Sequence, residues 1–129
     1  MKAFILVNSA AFLLFGLGFV FFPETLSLYL TDSAPATPSG MTDMRATYGG
    51  ISLGLGIVLV LMSQNPAFHS LGTKAATIIV GGMAVGRTIG MLQDGAPNEF
   101  MFINLGLEVV IVVVGLVLLM KSEGREGDA

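Results

Sequence analysis

The chain has 129 residues, of which 53% are hydrophobic and only 12% charged, with a net charge of −3 and a mean hydropathy of +0.83. Soluble domains carry about 25% charged residues, so this composition cannot cover a soluble globule and reads as a single membrane domain, too short for a multidomain enzyme. Its six scattered Lys and Arg exclude a nucleic-acid partner, and the lack of cysteine excludes disulfides, thiolate metal sites, iron–sulfur clusters and a cysteine nucleophile.

A hydrocarbon core of roughly 30 Å needs roughly 20 apolar residues per helix. Four such runs are predicted, at about 3–22, 46–63, 71–92 and 100–120. The expected fold is therefore all-α, an integral membrane bundle of four transmembrane helices occupying residues 1–120. The first run follows Lys2 but ends in Phe21-Phe22-Pro23-Glu24 without a small-residue cleavage pattern, so it reads as a retained span and not a signal peptide. The longest connection, 23–43, begins with an alternating stretch from Glu24 to Leu30, suited to the interface or to the mouth of the bundle. It continues as a Pro/Ser/Gly loop. Residues 64–70 and 94–99 read as turns, and 121–129 as a disordered tail with nothing to bury.

Orientation follows from basic residues near the span ends. Four crossings place Lys2, Lys74, Lys121 and Arg125 on one side, with Arg45 opposite. Both termini and the tail are thus expected in the cytoplasm, with Glu24, Asp32, Asp43, Asp94 and Glu99 collected on the outer face. The expected location is the cell (inner) membrane, as a multi-pass protein.

Helices in lipid approach closely through small residues and interhelical hydrogen bonds. Gly82, Gly86 and Gly90 form a stripe at four-residue spacing in the third span, and Gly50 with Gly54 and Ser52 with Gly56 repeat the spacing in the second. The first and fourth spans carry Gly16, Gly18, Gly106 and Gly115. The plain reading is helix packing; the alternative is a conduit or ligand groove.

Two charges stand well inside the spans. By a rise of 1.5 Å per residue, Arg87 lies roughly 9 Å and Glu108 roughly 13 Å below the outer ends of the third and fourth spans. Each alone costs about 2.5–3.5 kcal/mol at a helix centre, so opposite signs in adjacent spans predict a pair. Asn104 is four residues from Glu108; Arg45, Tyr48, Ser52 and Gly56 follow one face of an ideal helix; Arg87, Gly90, Met91 and Asp94 follow another. The candidate polar cluster in the outer half is Arg45, Tyr48, Arg87, Asp94, Asn104 and Glu108, with Asp43 at its mouth. One reading is an ion-paired network that fixes helix register; the other is a small outward-opening pocket in which the arginines hold an anionic or carbonyl-bearing ligand. An opposite charge favours the ionised form of a carboxyl group, so the pairing speaks against a general acid at position 108.

At these residues the chain resembles an uncharacterised family of small bacterial four-span proteins, domain of unknown function 4345. The matching pieces are Pro23-Glu24-Thr25-Leu26, Arg45-Ala46-Thr47-Tyr48-Gly49-Gly50, Gly86-Arg87-Thr88-Ile89-Gly90, Asp94-Gly95-Ala96-Pro97 and Glu108. The resemblance implies a four-helix integral membrane fold with these polar positions as its signature, and no activity.

The residues assign no catalytic group, metal or cofactor; the lone His69 reads as a solvated turn residue. The function expected first is that of an accessory subunit or a small lipophilic-ligand binder built around the Arg/Glu cluster. The alternatives are a membrane-embedded enzyme acting on a lipophilic substrate and a proton-coupled transporter acting as a homodimer. Expected partners are the lipid bilayer, a lipid or other lipophilic small molecule, and a homo-oligomer or larger membrane complex.

Overall fold

The computed structural model describes the backbone of residues 1–127 and side chains as far as Ser122. Every element is helical: α1 (Lys2–Phe21), α2 (Pro23–Thr31), α3 (Pro38–Met44), a π-helical segment (Arg45–Gly50) running into α4 (Ile51–Gln64), a 3-10 turn (Pro66–Phe68), α5 (His69–Gln93) and α6 (Glu99–Gly127). No strand occurs among the described residues. Four stretches are long and apolar enough to cross a bilayer: Lys2–Phe21, Pro38–Gln64, Pro66–Gln93 and Glu99–Ser122. They contain the four predicted runs except Phe22, the last residue of the first.

Prolines punctuate the chain. Pro23 has no N–H to donate and disfavours helical backbone at the residue before it, so Phe22 leaves α1 at φ −128°, ψ 49° and Pro23 opens α2. Thr37 caps α3 by accepting from the Gly40 amide, again with proline in the first turn. The Asn65 side chain accepts from Ala67 N at the α4–α5 turn. Gly95, at φ +99°, ends α5 in a conformation that side chains avoid.

The spans pair antiparallel as α1 with α4 and α5 with α6. Glycines make both pairings possible: a Cβ on Gly16 would lie 2.7 Å from the Leu53 amide nitrogen, and one on Gly56 2.6 Å from Leu13 Cγ. Gly115 abuts Thr77 Oγ1 across the second pair. The two pairs meet in the half of the bundle that carries the termini, where Ile5, Phe12, Leu59, Ala76 and Val80 form the buried core. Polar side chains buried there bond to backbone carbonyls, among them Ser9 Oγ to Gly56 at 2.8 Å between helices, and Thr73 and Thr77 one turn back along α5. Beyond Val80 no residue of α5 is buried.

At the opposite end α2 spans the mouth. Its Tyr29 ring packs on Phe100 of α6 at 4.7 Å, and Asn98 donates to the Leu30 carbonyl and to Asp32 Oδ2. Ser27, buried beneath, returns its hydroxyl proton to Pro23 O.

Four sequence expectations change. The 23–43 connection contains a second helix, α3, not only an open loop. The helix of the fourth span continues past its expected end at 120 through Gly127, because each residue added to an existing helix gains a hydrogen bond without a new nucleus; 128–129 lie outside the described residues. The stripe thought to pack the third span does not do so within the chain, since a Cβ on Gly82 or Gly86 would meet nothing within 4 Å. His69 is half-buried, its Nε2 3.0 Å from the Ser63 carbonyl across the α4–α5 turn.

Candidate functional site

Arg87 and Glu108 face each other across the α5–α6 pair. Arg87 Nε donates to both carboxylate oxygens at 3.2 and 3.1 Å, and Nη2 donates to Oε1 at 2.7 Å. The side chains are 20% and 7% exposed, so in a bilayer this contact lies inside the protein, where an unpaired charge is costly. The guanidinium's remaining nitrogen, Nη1, reaches only the thioether of Met101, at 2.9 Å. Thioether sulfur is a weak acceptor, so one edge of Arg87 is neutralised by carboxylate while the other is nearly unspent.

That second edge opens on a cleft of about 280 Å³, lined by Arg87, Gly90, Met91 and Asp94 of α5 and its cap, by the turn that follows, and by Met101. Asp94 is exposed, and its carboxylate has no partner among the described residues. The carboxylate folds back over α5: Oδ2 lies 3.4 Å from where a Cβ on Gly90 would be. The cleft thus has a cation on its deep wall and an anion on its rim.

The other three members of the expected cluster do not join it. Arg45 donates through Nη1 to the Val20 carbonyl at the C-terminal end of α1, satisfying an acceptor the helix leaves open and meeting the negative end of its dipole. Tyr48 stacks on Phe19 of α1 at 5.3 Å. Asn104 is half-buried on α6, outside the cleft lining. The spacing argument placed Arg45 and Tyr48 on the face of Ser52 and Gly56, yet the first two are exposed and the last two buried. A π turn inserts an extra residue per turn, so the segment Arg45–Gly50 rotates whatever precedes it relative to α4. Gly49 explains why the segment belongs there: a Cβ would lie 2.7 Å from Val20 Cγ2.

Met101 was not among the sequence candidates. It lies level with Asp94 across the α5–α6 hairpin, and the antiparallel register that aligns Arg87 with Glu108 would have pointed to it. Among the described residues no three His, Asp or Glu side chains gather as a metal site would require.

Four bilayer-length helices with an ion pair inside them define a multi-pass membrane protein with a helical-bundle fold. The family model for Domain of unknown function (DUF4345) matches residues 1–119, and the chain belongs to that family. Searches of curated proteins and of solved structures find no match.

Proposed function

We propose that the protein is a multi-pass inner-membrane binder of a small lipophilic molecule with a polar head, and that the α5–α6 cleft is its site. The carrying observation is the divided state of Arg87: Glu108 holds two of its nitrogens while Nη1 faces the cleft with only a sulfur for company. An incoming phosphate or carbonyl oxygen is a far better acceptor than that sulfur, and the cleft, at about 280 Å³, is sized for a head rather than a whole lipid. Binding fits better than catalysis, because both oxygens of Glu108 already accept from Arg87. Both termini face the cytoplasm in this reading, supported by Lys2, Lys74 and Lys121 at one end of the bundle against Arg45 at the other.

The same pair also clamps α5 to α6, so a binding test must leave the clamp's absence harmless. Replacing a buried ion pair with apolar residues of similar volume is often neutral for stability. The double variant Arg87→Met/Glu108→Leu, purified in mild detergent, is therefore expected to keep the wild-type melting temperature and lose the lipophilic molecule that copurifies with wild type, as read by mass spectrometry. A double variant that stays folded and retains the same bound molecules removes the proposal's support.

A further inference from the structure

The cleft carries charge in a definite order along the bilayer normal. Arg87 is the deeper group, and its Nη1 meets the Met101 sulfur in the wall of the cleft. Asp94 is the shallower group, and its carboxylate, lying over Gly90, is drawn down to about one helical turn above the backbone of Arg87, roughly 5 Å along the axis. A deep cation and a shallow anion one turn apart mirror a zwitterionic phospholipid head, whose phosphate sits next to the hydrocarbon and whose amine sits outermost.

Resting on the binding role proposed above, we infer that the cleft takes the phosphoethanolamine head of a membrane phospholipid, its phosphate on Arg87 Nη1 and its ammonium on Asp94. The short ethylene spacer of that head suits the separation of the two groups. A primary ammonium can donate directly to the Asp94 carboxylate; a trimethylated amine has no N–H to donate and is bulkier. A glycerol head brings no cation to Asp94, so nothing offsets the carboxylate beside its phosphate. The phosphate displaces the Met101 sulfur and leaves the Glu108 contacts in place, so no buried charge loses its partner. The acyl chains run down the lipid-facing side of α5, which is unburied from Gly81 to its end.

The test is competitive lipid binding by the full chain, presented with equal amounts of phosphatidylethanolamine, phosphatidylcholine and phosphatidylglycerol of identical acyl chains in mixed micelles, with bound lipid read by native mass spectrometry. Phosphatidylethanolamine is expected to exceed each of the others by about tenfold, the scale of one charge-assisted hydrogen bond. Asp94→Asn, a rim substitution outside the packed core, is expected to bring the ethanolamine-to-choline ratio close to one while lipid is still retained through Arg87. Equal or greater retention of phosphatidylglycerol by wild type, or an unchanged ratio in Asp94→Asn, overturns the headgroup assignment and leaves the binding role standing. Binding of free phosphoethanolamine as tightly as of phosphatidylethanolamine would show that the soluble head suffices, overturning the assignment to a membrane lipid. Retention of the same lipids by the folded Arg87→Met/Glu108→Leu variant overturns both readings.

Discussion

Arg87 shows how one side chain serves two ends. Its Nε and Nη2 close the bridge to Glu108, and its Nη1 is left against a thioether. The bridge is held together by mutual need: each charge is tolerable inside the span only because the other is there. Removing one partner of a buried pair costs about 3–5 kcal/mol, because the survivor is left uncompensated, whereas removing both costs little. Thermal unfolding in detergent should therefore rank Arg87→Met and Glu108→Leu as strongly destabilised and their combination near wild type. Additive losses in the double variant would mean that each residue contributes through separate packing and that no coupled pair exists. Arg45 makes the opposite kind of use of the same chemistry, ending on a backbone carbonyl of α1 instead of a carboxylate.

Among the elements, the four spans were legible because bilayer thickness dictates apolar length, and so was the Arg87–Glu108 pairing, since opposite charges lie at comparable depth in adjacent spans on the same side of the turn. What sequence periodicity could not carry was rotation. The π turn at Arg45–Gly50 breaks the register on which Arg45 and Tyr48 were assigned to the cluster, and only the approach of Val20 to Gly49 reveals it. Helix α3 was signalled by Thr37 followed by Pro38, a capping residue and a first-turn proline, inside a stretch whose Pro, Ser and Gly content suggested loop. Glycine spacing likewise names a smooth face without saying whether a helix meets it. The structure divides the glycines into two classes with opposite expectations. A methyl at position 115 would run into Thr77 Oγ1 and come within 3.1 Å of the Phe4 ring, so Gly115→Ala should cost about 1–3 kcal/mol as α5 and α6 move apart. A methyl at position 82 meets nothing within 4 Å, so Gly82→Ala should be neutral or stabilising by up to about 1 kcal/mol through helix propensity. Melting temperatures of the two variants check the contrast, and a loss at position 82 as large as at 115 would show that this face of α5 is packed after all.

For the molecule as a whole, the cleft and the apolar core sit at opposite ends. The apolar core joins the two helix pairs near the termini, while the cleft, α2 and the Asn98 bridge to Asp32 occupy the other end. An open cleft is compatible with a stable bundle because the core that holds the pairs together does not pass through it. The same division sorts charge, with Glu24, Asp32, Asp43, Asp94 and Glu99 at the cleft end and the lysines at the end of the termini. Basic residues flanking short loops stay on the cytoplasmic side, so the cleft should open away from the cytoplasm. The absence of cysteine makes this directly measurable, since any introduced thiol is the only one present. In bacterial cells producing the protein, a membrane-impermeant maleimide should label Ala36→Cys and Ala96→Cys from outside the inner membrane. Ala67→Cys, in the α4–α5 turn at the end of the termini, should react only after that membrane is permeabilised. The reverse pattern would invert the orientation and turn the cleft toward the cytoplasm. Labelling of positions 67 and 96 from the same side would break the antiparallel crossing of α5, and with it the register that sets Arg87 against Glu108.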